Sequence, residues 1–471
     1  MAVNASTSTE DLGVKSVGKL LVQYSVPAII ASVATSLYNI IDSIFIGRGV
    51  GPMAIAGLAI TFPLMNLVAA FCMLIAAGGA TIVSIFLGQK NYNRATDVVN
   101  NVFALCLIHS IVFGGLTLIF LEPILLFFGA TADTVGYAME FMEVILYGTP
   151  IGFVFIGLNN LMRATGYPRK AMTSALISVA VNLLLAPLFI FVLDWGIRGA
   201  ACATVCGQFS AFVWVMSHFL SKKSSIHFQR GNTWLSWTIV KRIYAIGLSP
   251  FLMNVCACVV VIFINRALLD YGGADGNLAV GAYGILNRTT MFFVMIVFGV
   301  TQGMQPILGY NIGANHFDRV KRVLRLGIWI TSLGWIVSEG FPDKVSALFT
   351  TDETLIRIAR EGFRIYFVVY PVVGCQIVIQ NFFQSVGKPH MSIFLSLTRQ
   401  LLFLIPFLII FPRFWGVPGV WASMAGSDII AFVVAIVTLW WWMRHTMRRM
   451  EENAGVLGAS AGAVTEQTGN K

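Results

Sequence analysis

Charge is what this sequence has least of. Asp, Glu, Lys and Arg make up 11% of its 471 residues, against roughly 25% in an ordinary soluble domain. A chain so poor in charge, and 57% hydrophobic, cannot cover itself with polar surface, which excludes a soluble globular protein. Short segments of alternating polarity are missing too, which excludes a membrane β-barrel. The 6 histidines form no HExxH arrangement. The 7 cysteines (Cys72, Cys106, Cys202, Cys206, Cys256, Cys258 and Cys375) all sit within apolar runs, so no disulfide framework is indicated. Cys202 and Cys206 stand one helical turn apart, yet with no histidine or second pair nearby they read as small apolar side chains rather than metal ligands. A membrane-embedded enzyme would cluster acids, His or Cys at the membrane surface, and a passive channel would repeat a selectivity filter; neither pattern occurs. No cofactor is expected. The formal charge of +10 is scattered over short loops and forms no compact patch, so a nucleic-acid partner is not expected either.

What the chain does have is long apolar runs. They recur from Leu20 to Met443 with polar breaks between them, and each is near the roughly 20 residues that carry a helix across the hydrocarbon core. Continuous Leu, Ile, Val, Phe and Ala call for helices, because backbone groups in lipid must be paired within the segment. The expected spans are 18–47, 54–87, 96–121, 134–161, 170–193, 198–220, 242–269, 278–309, 320–340, 356–385, 391–411 and 417–443. The fold class is therefore an all-α polytopic membrane protein of 12 transmembrane helices. With the N-terminus inside, the cytoplasmic segments collect Lys15, Lys19, Lys90, Arg94, Arg169, Lys222, Lys223, Lys241, Arg242, Arg319 and Arg448, and the opposite loops hold Arg48, Arg198, Lys344 and Arg413. The positive-inside rule then places both termini in the cytoplasm of a cell (plasma or inner) membrane protein.

Sliding the chain on itself by about 220 residues aligns Pro27 with Pro250, Asp42 with Asn265, and Gly88 and Arg94 with Gly313 and Arg319. Pro150, Asn160, Gly166 and Pro168 then fall on Pro371, Asn381, Gly387 and Pro389, and WGIRGAA from Trp195 on WGVPGVW from Trp415. Six helices are duplicated. Because each copy has an even number of spans, the copies are parallel repeats related by an axis along the membrane normal, with the solute path between them. This divides the chain into a cytoplasmic segment 1–17, an N-lobe 18–220, a cytoplasmic linker 221–241, a C-lobe 242–445 and a disordered tail 446–471. The linker, with Trp234 and Trp237, either lies along the membrane interface or is plainly solvated. One chain supplies both halves of a path, so a monomer should suffice.

Several motifs, in their order and spacing, resemble the multidrug and toxic compound extrusion (MATE) family, particularly its bacterial multidrug-export branch. The first half carries YSVPAII from Tyr24, LYNIIDSIFIG from Leu37, GLAITFP from Gly57 and the helix end at Gly88 and Gln89. The second carries YGILNRTT from Tyr283, GVTQGMQPILGYNIGA from Gly299 and FFQSVGKP from Phe382. The resemblance covers almost the whole chain. It implies a two-lobed antiporter that exports bulky, often cationic or amphiphilic organic compounds in exchange for protons or sodium.

Asp42 stands out on chemistry alone, since it lies well inside the first span and a charge at the centre of a membrane helix costs about 2.5 to 3.5 kcal/mol on insertion scales. Taken out of water, a carboxylate favours its protonated form; beside a cation it favours its ionised form, so one group can alternate between the two during transport. The alternative is a purely structural, hydrogen-bonded Asp. Tyr38 and Asn39, about one turn earlier, are placed to line its pocket. The resemblance makes Asp42 the family's first-helix acid and matches Asn182 and Thr204 to polar positions of a cation site, whose oxygens suit Na+ or a proton-carrying water; otherwise such residues tie helices together. Many relatives carry a second acid before a Pro four residues after the Asn, whereas this chain has Ala186 before Pro187. One carboxylate is missing, which favours protons over Na+ at Asp42, Asn182 and Thr204. The second half offers no obvious substitute, because Asp42 aligns with Asn265 and Glu361 lies at the outer end of its span. Coupling is expected in the first lobe alone.

Asn254, Met291, Met295, Gln376 and Gln380 are expected to border the central cavity, where flexible Met and neutral amides suit varied organic shapes. Arg288, read as the other intramembrane charge, either binds substrate or pairs with helix carbonyls. Pro27, Pro187, Pro250 and Pro406 each remove a helix donor and permit either a static kink or a moving bend. A flippase for lipid-linked or dedicated biosynthetic products is the competing transport class, but it calls for several basic residues in the cavity to hold phosphate.

Overall fold

The computed structural model describes residues 5–221, 224, 226–228, 235–273, 276–336 and 353–452. Every regular element among them is helical. The first half comprises α1 (Ala5–Val14), α2 (Val17–Gly49), α3 (Pro52–Gly88), α4 (Tyr92–Ile119), a short α5 (Leu121–Phe127), α6 (Val135–Ala164), α7 (Pro168–Pro187) and α8 (Gly196–Leu220). The second half comprises α9 (Trp237–Tyr271), α10 (Gly276–Gly313), α11 (Phe317–Ile336), α12 (Glu353–Phe367), α13 (Tyr370–Ser385), α14 (Pro389–Leu397), α15 (Ile405–Trp415) and α16 (Val417–Trp442).

Each of the twelve expected spans falls on helix. Among the described residues 10 spans are single helices long and apolar enough to cross a bilayer, α14 and α15 joining through a widened turn at Thr398–Leu404. The expected span 320–340 falls on α11, of which residues beyond Ile336 lie outside the described residues. The expected span 356–385 is a bent pair rather than one straight helix. Helices α12 and α13 meet at 55° just before Pro371, whose missing N–H leaves a carbonyl of the preceding turn without its helical donor. Its repeat partner Pro150 lies inside an unbroken α6. At the ends, α1 adds a helix ahead of the first span, and the last helix runs on through a wide turn at Met443–Met447 to Glu452. Most of the expected linker and the tail from 453 onward lie outside the described residues.

The duplication is written in the backbone. Three pairs of residues with left-handed backbone recur at matching places: Lys90 and Asn315 (φ 56° and 58°), Gly166 and Gly387 (φ 104° and 73°), and Gly196 and Gly416 (φ 58° and 60°). Each marks a tight reversal between spans, and glycine takes such a conformation without steric cost. Both TGYP and VGKP turns then start a helix with proline in its first turn, Pro168 and Pro389, where the absent N–H would have no partner anyway.

The halves meet as a pseudo-two-fold pair. Helix α3 packs along α9 and α10 along α2, contacts that exchange when the halves are swapped, and α3 also packs on α10. Glycines permit the approach. A Cβ on Gly88 would run into the Tyr310 carbonyl, and one on Gly313 into the Ile85 carbonyl, so the same contact is made twice in reciprocal form. One apolar core spans both lobes at this end of the molecule, drawing Leu20, Ile82 and Phe153 from the first half and Ile243, Ile307 and Trp442 from the second. At the opposite end each lobe has its own core, one around Ile46, Leu121 and Ile197 and the other around Leu268, Phe363 and Trp421. The lobes are thus joined at the end that carries Leu12 and Met447 and separate toward the other. Every residue of α3 from Leu74 to Gly88 is buried, whereas Met53, Ile55 and Phe62 in its first half are exposed.

Candidate functional site

The first-lobe site is built on three helices that pack in series, α2 on α7 and α7 on α8. Helices α2 and α7 run the same way, and a Cβ on Gly49 would strike Ile190 and Phe191 just beyond α7. Counting back along α2 to Asp42 and along α7 to Asn182 covers nearly the same length of helix, so the two residues stand at one depth. The Asn182 Nδ2 group donates to Thr204 Oγ1 at 3.0 Å, and Thr204 Oγ1 donates to the Ala200 carbonyl at 3.2 Å.

Two oxygens are left over. Asp42 is 7% exposed and Asn182 2%, and neither Asp42 Oδ1 nor Asn182 Oδ1 has a hydrogen-bond donor. Buried acceptors without donors are costly, and a water, a proton on the carboxyl or a hard cation each supplies what such oxygens lack. Tyr38 lies half-buried one turn before Asp42, on the same face, while Asn39 is exposed and offers its carbonyl to Ser43 Oγ at 2.8 Å. Ala186 is fully buried one turn after Asn182 and brings no polar atom. Pro187 ends α7, and the next turn, Leu188–Val192, is widened; the proline supplies no donor to the turn before it, which forces that local rearrangement. Among the described residues no three His, Cys, Asp or Glu side chains gather as a metal centre.

In the second half, Met291 is exposed on α10, and Met295 and Asn254 are half-buried on α10 and α9. Asn254 Nδ2 donates to the Pro250 carbonyl at 2.8 Å. Gln376 and Gln380 on α13 are buried; Gln380 Nε2 reaches Met253 Sδ at 3.4 Å, and both polar atoms of the Gln376 amide lack partners. Arg288 stands on α10, but its side chain lies outside the described residues.

Sequence reasoning passed over one charged pair. Arg399, in the widened turn between α14 and α15, donates through Nε to Asp428 Oδ1 of α16 at 2.6 Å, and Asp428 also accepts a hydrogen bond from Tyr366 of α12. Asp428 is almost wholly buried. The second half therefore does contain a buried acid, and Arg288 is not the only other charge within the spans. The signal was present as one Arg and one Asp inside two apolar runs, and only the packing of α16 on the widened turn brings them together.

Polar ties hold the lobes together where they meet. Arg163 Nη1 donates to Gln302 Oε1, and Gln305 Nε2 donates to Thr81 Oγ1 at 2.9 Å and to the Ala77 carbonyl at 3.1 Å. Asn311 and Arg319 of the second half grip the start of the first: Asn311 Nδ2 donates to the Leu12 carbonyl at 3.0 Å, and Arg319 Nη2 to the Lys15 carbonyl at 2.6 Å.

The MatE family model matches residues 27–188 and 245–410. The multidrug export protein MepA of Staphylococcus haemolyticus (strain JCSC1435) is 25% identical over 426 residues, which cover 90% of this chain and 93% of that protein. A solved outward-facing multidrug resistance MATE family transporter of the MOP superfamily superposes with a TM-score of 0.86 at 22% identity, over 94% of this chain and 98% of its own. A solved chain known as protein A gives a TM-score of 0.84 at 34% identity, over 92% of this chain and 97% of its own.

Proposed function

From the premise that this chain belongs to the MatE family of membrane transporters, and is thus no enzyme, we propose that it is an ion-coupled antiporter that exports organic cations or amphiphilic compounds, with protons as the favoured coupling ion and Asp42 as their carrier. The observation that carries the reading is the pair of donorless buried oxygens at one depth in the first lobe, Asp42 Oδ1 and Asn182 Oδ1. A single carboxylate with amide and hydroxyl oxygens, and with Ala186 where a second acid would strengthen a sodium site, suits a proton better than Na+. The relatives' name, multidrug export protein, supports the substrate class.

The exchange follows from the two ends of the molecule. With the termini in the cytoplasm, the joined end faces inward and the separated lobes open outward, as in the outward-facing relative. An external proton that reaches Asp42 neutralises it, and the buried acceptor becomes a donor able to satisfy Asn182. The outer half of α2, which carries exposed Leu37, Ile40 and Ile44, can bend at Pro27 to close the pocket. Closing the outer end and breaking the ties at the inner end completes the cycle. Substrate binding from the cytoplasm then favours the ionised carboxylate, so each ligand expels the other.

The test is ethidium uptake into inverted vesicles under an imposed proton gradient or an imposed sodium gradient. Wild type should accumulate dye with the proton gradient alone, and Asp42→Asn should not rise above vesicles without the protein. Accumulation driven only by sodium would overturn the proton assignment, and no dye movement under either gradient would overturn the organic-cation reading.

A further inference from the structure

A groove of about 690 Å³ opens where α2 and α7 begin, lined by Lys15, Gly18, Lys19, Val22, Gln23 and Arg169. It holds three cations. Lys15 is paired with Asp11 at 2.6 Å, and Asp11 is not itself part of the lining, so the groove keeps a surplus of positive charge. Both helices start here without a side-chain cap, Ser16 and Tyr167 making no capping hydrogen bond, so the positive ends of two helix dipoles add to the field.

Two further observations separate a lipid from a free anion. First, Gly18 is helical and a Cβ there would meet nothing within 4 Å. Neither backbone geometry nor packing within the protein calls for glycine, which costs about 1 kcal/mol in a helix relative to alanine; what a side chain would fill is the groove itself. Second, Val22, Val26 and Ile30 are 60%, 45% and 44% exposed and follow one another by single turns along α2. They form an apolar ridge that leads from the cations toward the middle of the span. Free phosphate would need the cations and not the ridge.

We infer that Lys15, Lys19 and Arg169 bind the phosphate of an anionic phospholipid whose acyl chain lies along Val22, Val26 and Ile30. The bound lipid joins the starts of α2 and α7, the helices that carry Asp42 and Asn182, beside the Lys15 carbonyl held by Arg319. The inference rests on the chain being embedded in a membrane, not on the identity of its coupling ion or substrate.

The experiment is native mass spectrometry of the full-length, delipidated protein titrated with phosphatidylglycerol, with phosphatidylcholine and with inorganic phosphate. Wild type should take up one phosphatidylglycerol in preference to phosphatidylcholine. K19Q/R169Q should weaken that step about thirtyfold, the worth of two interfacial cations, and Gly18→Leu should weaken it with no change of charge. Arg444→Gln, outside the groove, should leave it unaltered. Equal uptake of the two lipids, unchanged binding in both groove variants, or displacement of phosphatidylglycerol by equimolar inorganic phosphate would each overturn the site. Because the readout is bound lipid, loss of transport by itself leaves the result intact.

Discussion

At the scale of single residues the molecule contrasts two buried acids. Asp42 keeps an oxygen without a donor, whereas Asp428 is held by Arg399 and Tyr366. The first arrangement suits a group that exchanges ligands, the second one that keeps them. Removing one member of a buried ion pair leaves the other uncompensated, at a cost of about 3–5 kcal/mol, while replacing both with apolar side chains is often nearly neutral. Asp428→Asn should therefore lower the thermal midpoint of the detergent-solubilised protein markedly, and Asp428→Leu combined with Arg399→Met should recover most of it. A single variant as stable as wild type would contradict the pairing. At Asp42 the contest between proton and substrate sets the sign of a pH effect: affinity for an organic cation should fall as pH falls in wild type and stay flat in Asp42→Asn, measured by binding at equilibrium.

At the scale of elements, glycine spacing decides how closely the halves meet. Gly78 faces the Ile243 carbonyl, Gly247 the Leu74 carbonyl, and Gly313 the Ile85 carbonyl, each too near for a Cβ. Gly313→Ala should force the joined end apart, so a membrane-impermeant maleimide should label a cysteine placed at Ser25, buried against Gly303 of the other lobe, several times faster in inverted vesicles than in the parent. Equal labelling would mean that this contact does not set the closed end. The bend between α12 and α13 shows where sequence patterns stop being sufficient. Pro150 and Pro371 align in the repeat, yet α6 stays whole and the later pair turns by 55°. Proline removes the same donor in both, and what surrounds the helix determines whether it bends.

At the scale of the whole molecule, much of the architecture was legible in the chain. Apolar run length marked the spans because lipid demands internally paired backbone, and the duplicated turns were visible because left-handed positions recur as Gly166 with Gly387 and Gly196 with Gly416. Asn182 was joined to Asp42 only through the family resemblance, and the depth they share came from the packing of Gly49 against Ile190 and Phe191. Other features depend on contacts between distant segments. The Arg399–Asp428 pair joins two spans, and α1, in the stretch read only as a cytoplasmic segment, is gripped through its own carbonyl by Asn311 and Arg319, a contact no local pattern reports.

Exchange of a proton for substrate at one carboxylate of the first lobe has a direct readout. It is tested most directly by loading inverted vesicles with a pH dye, imposing no ion gradient, and adding an organic cation outside. Entry of the cation into the lumen should drive protons out, so the lumen should become alkaline with wild type, while with Asp42→Asn it should stay at the pH of vesicles without the protein. Proton movement by Asp42→Asn equal to that of wild type would contradict the account.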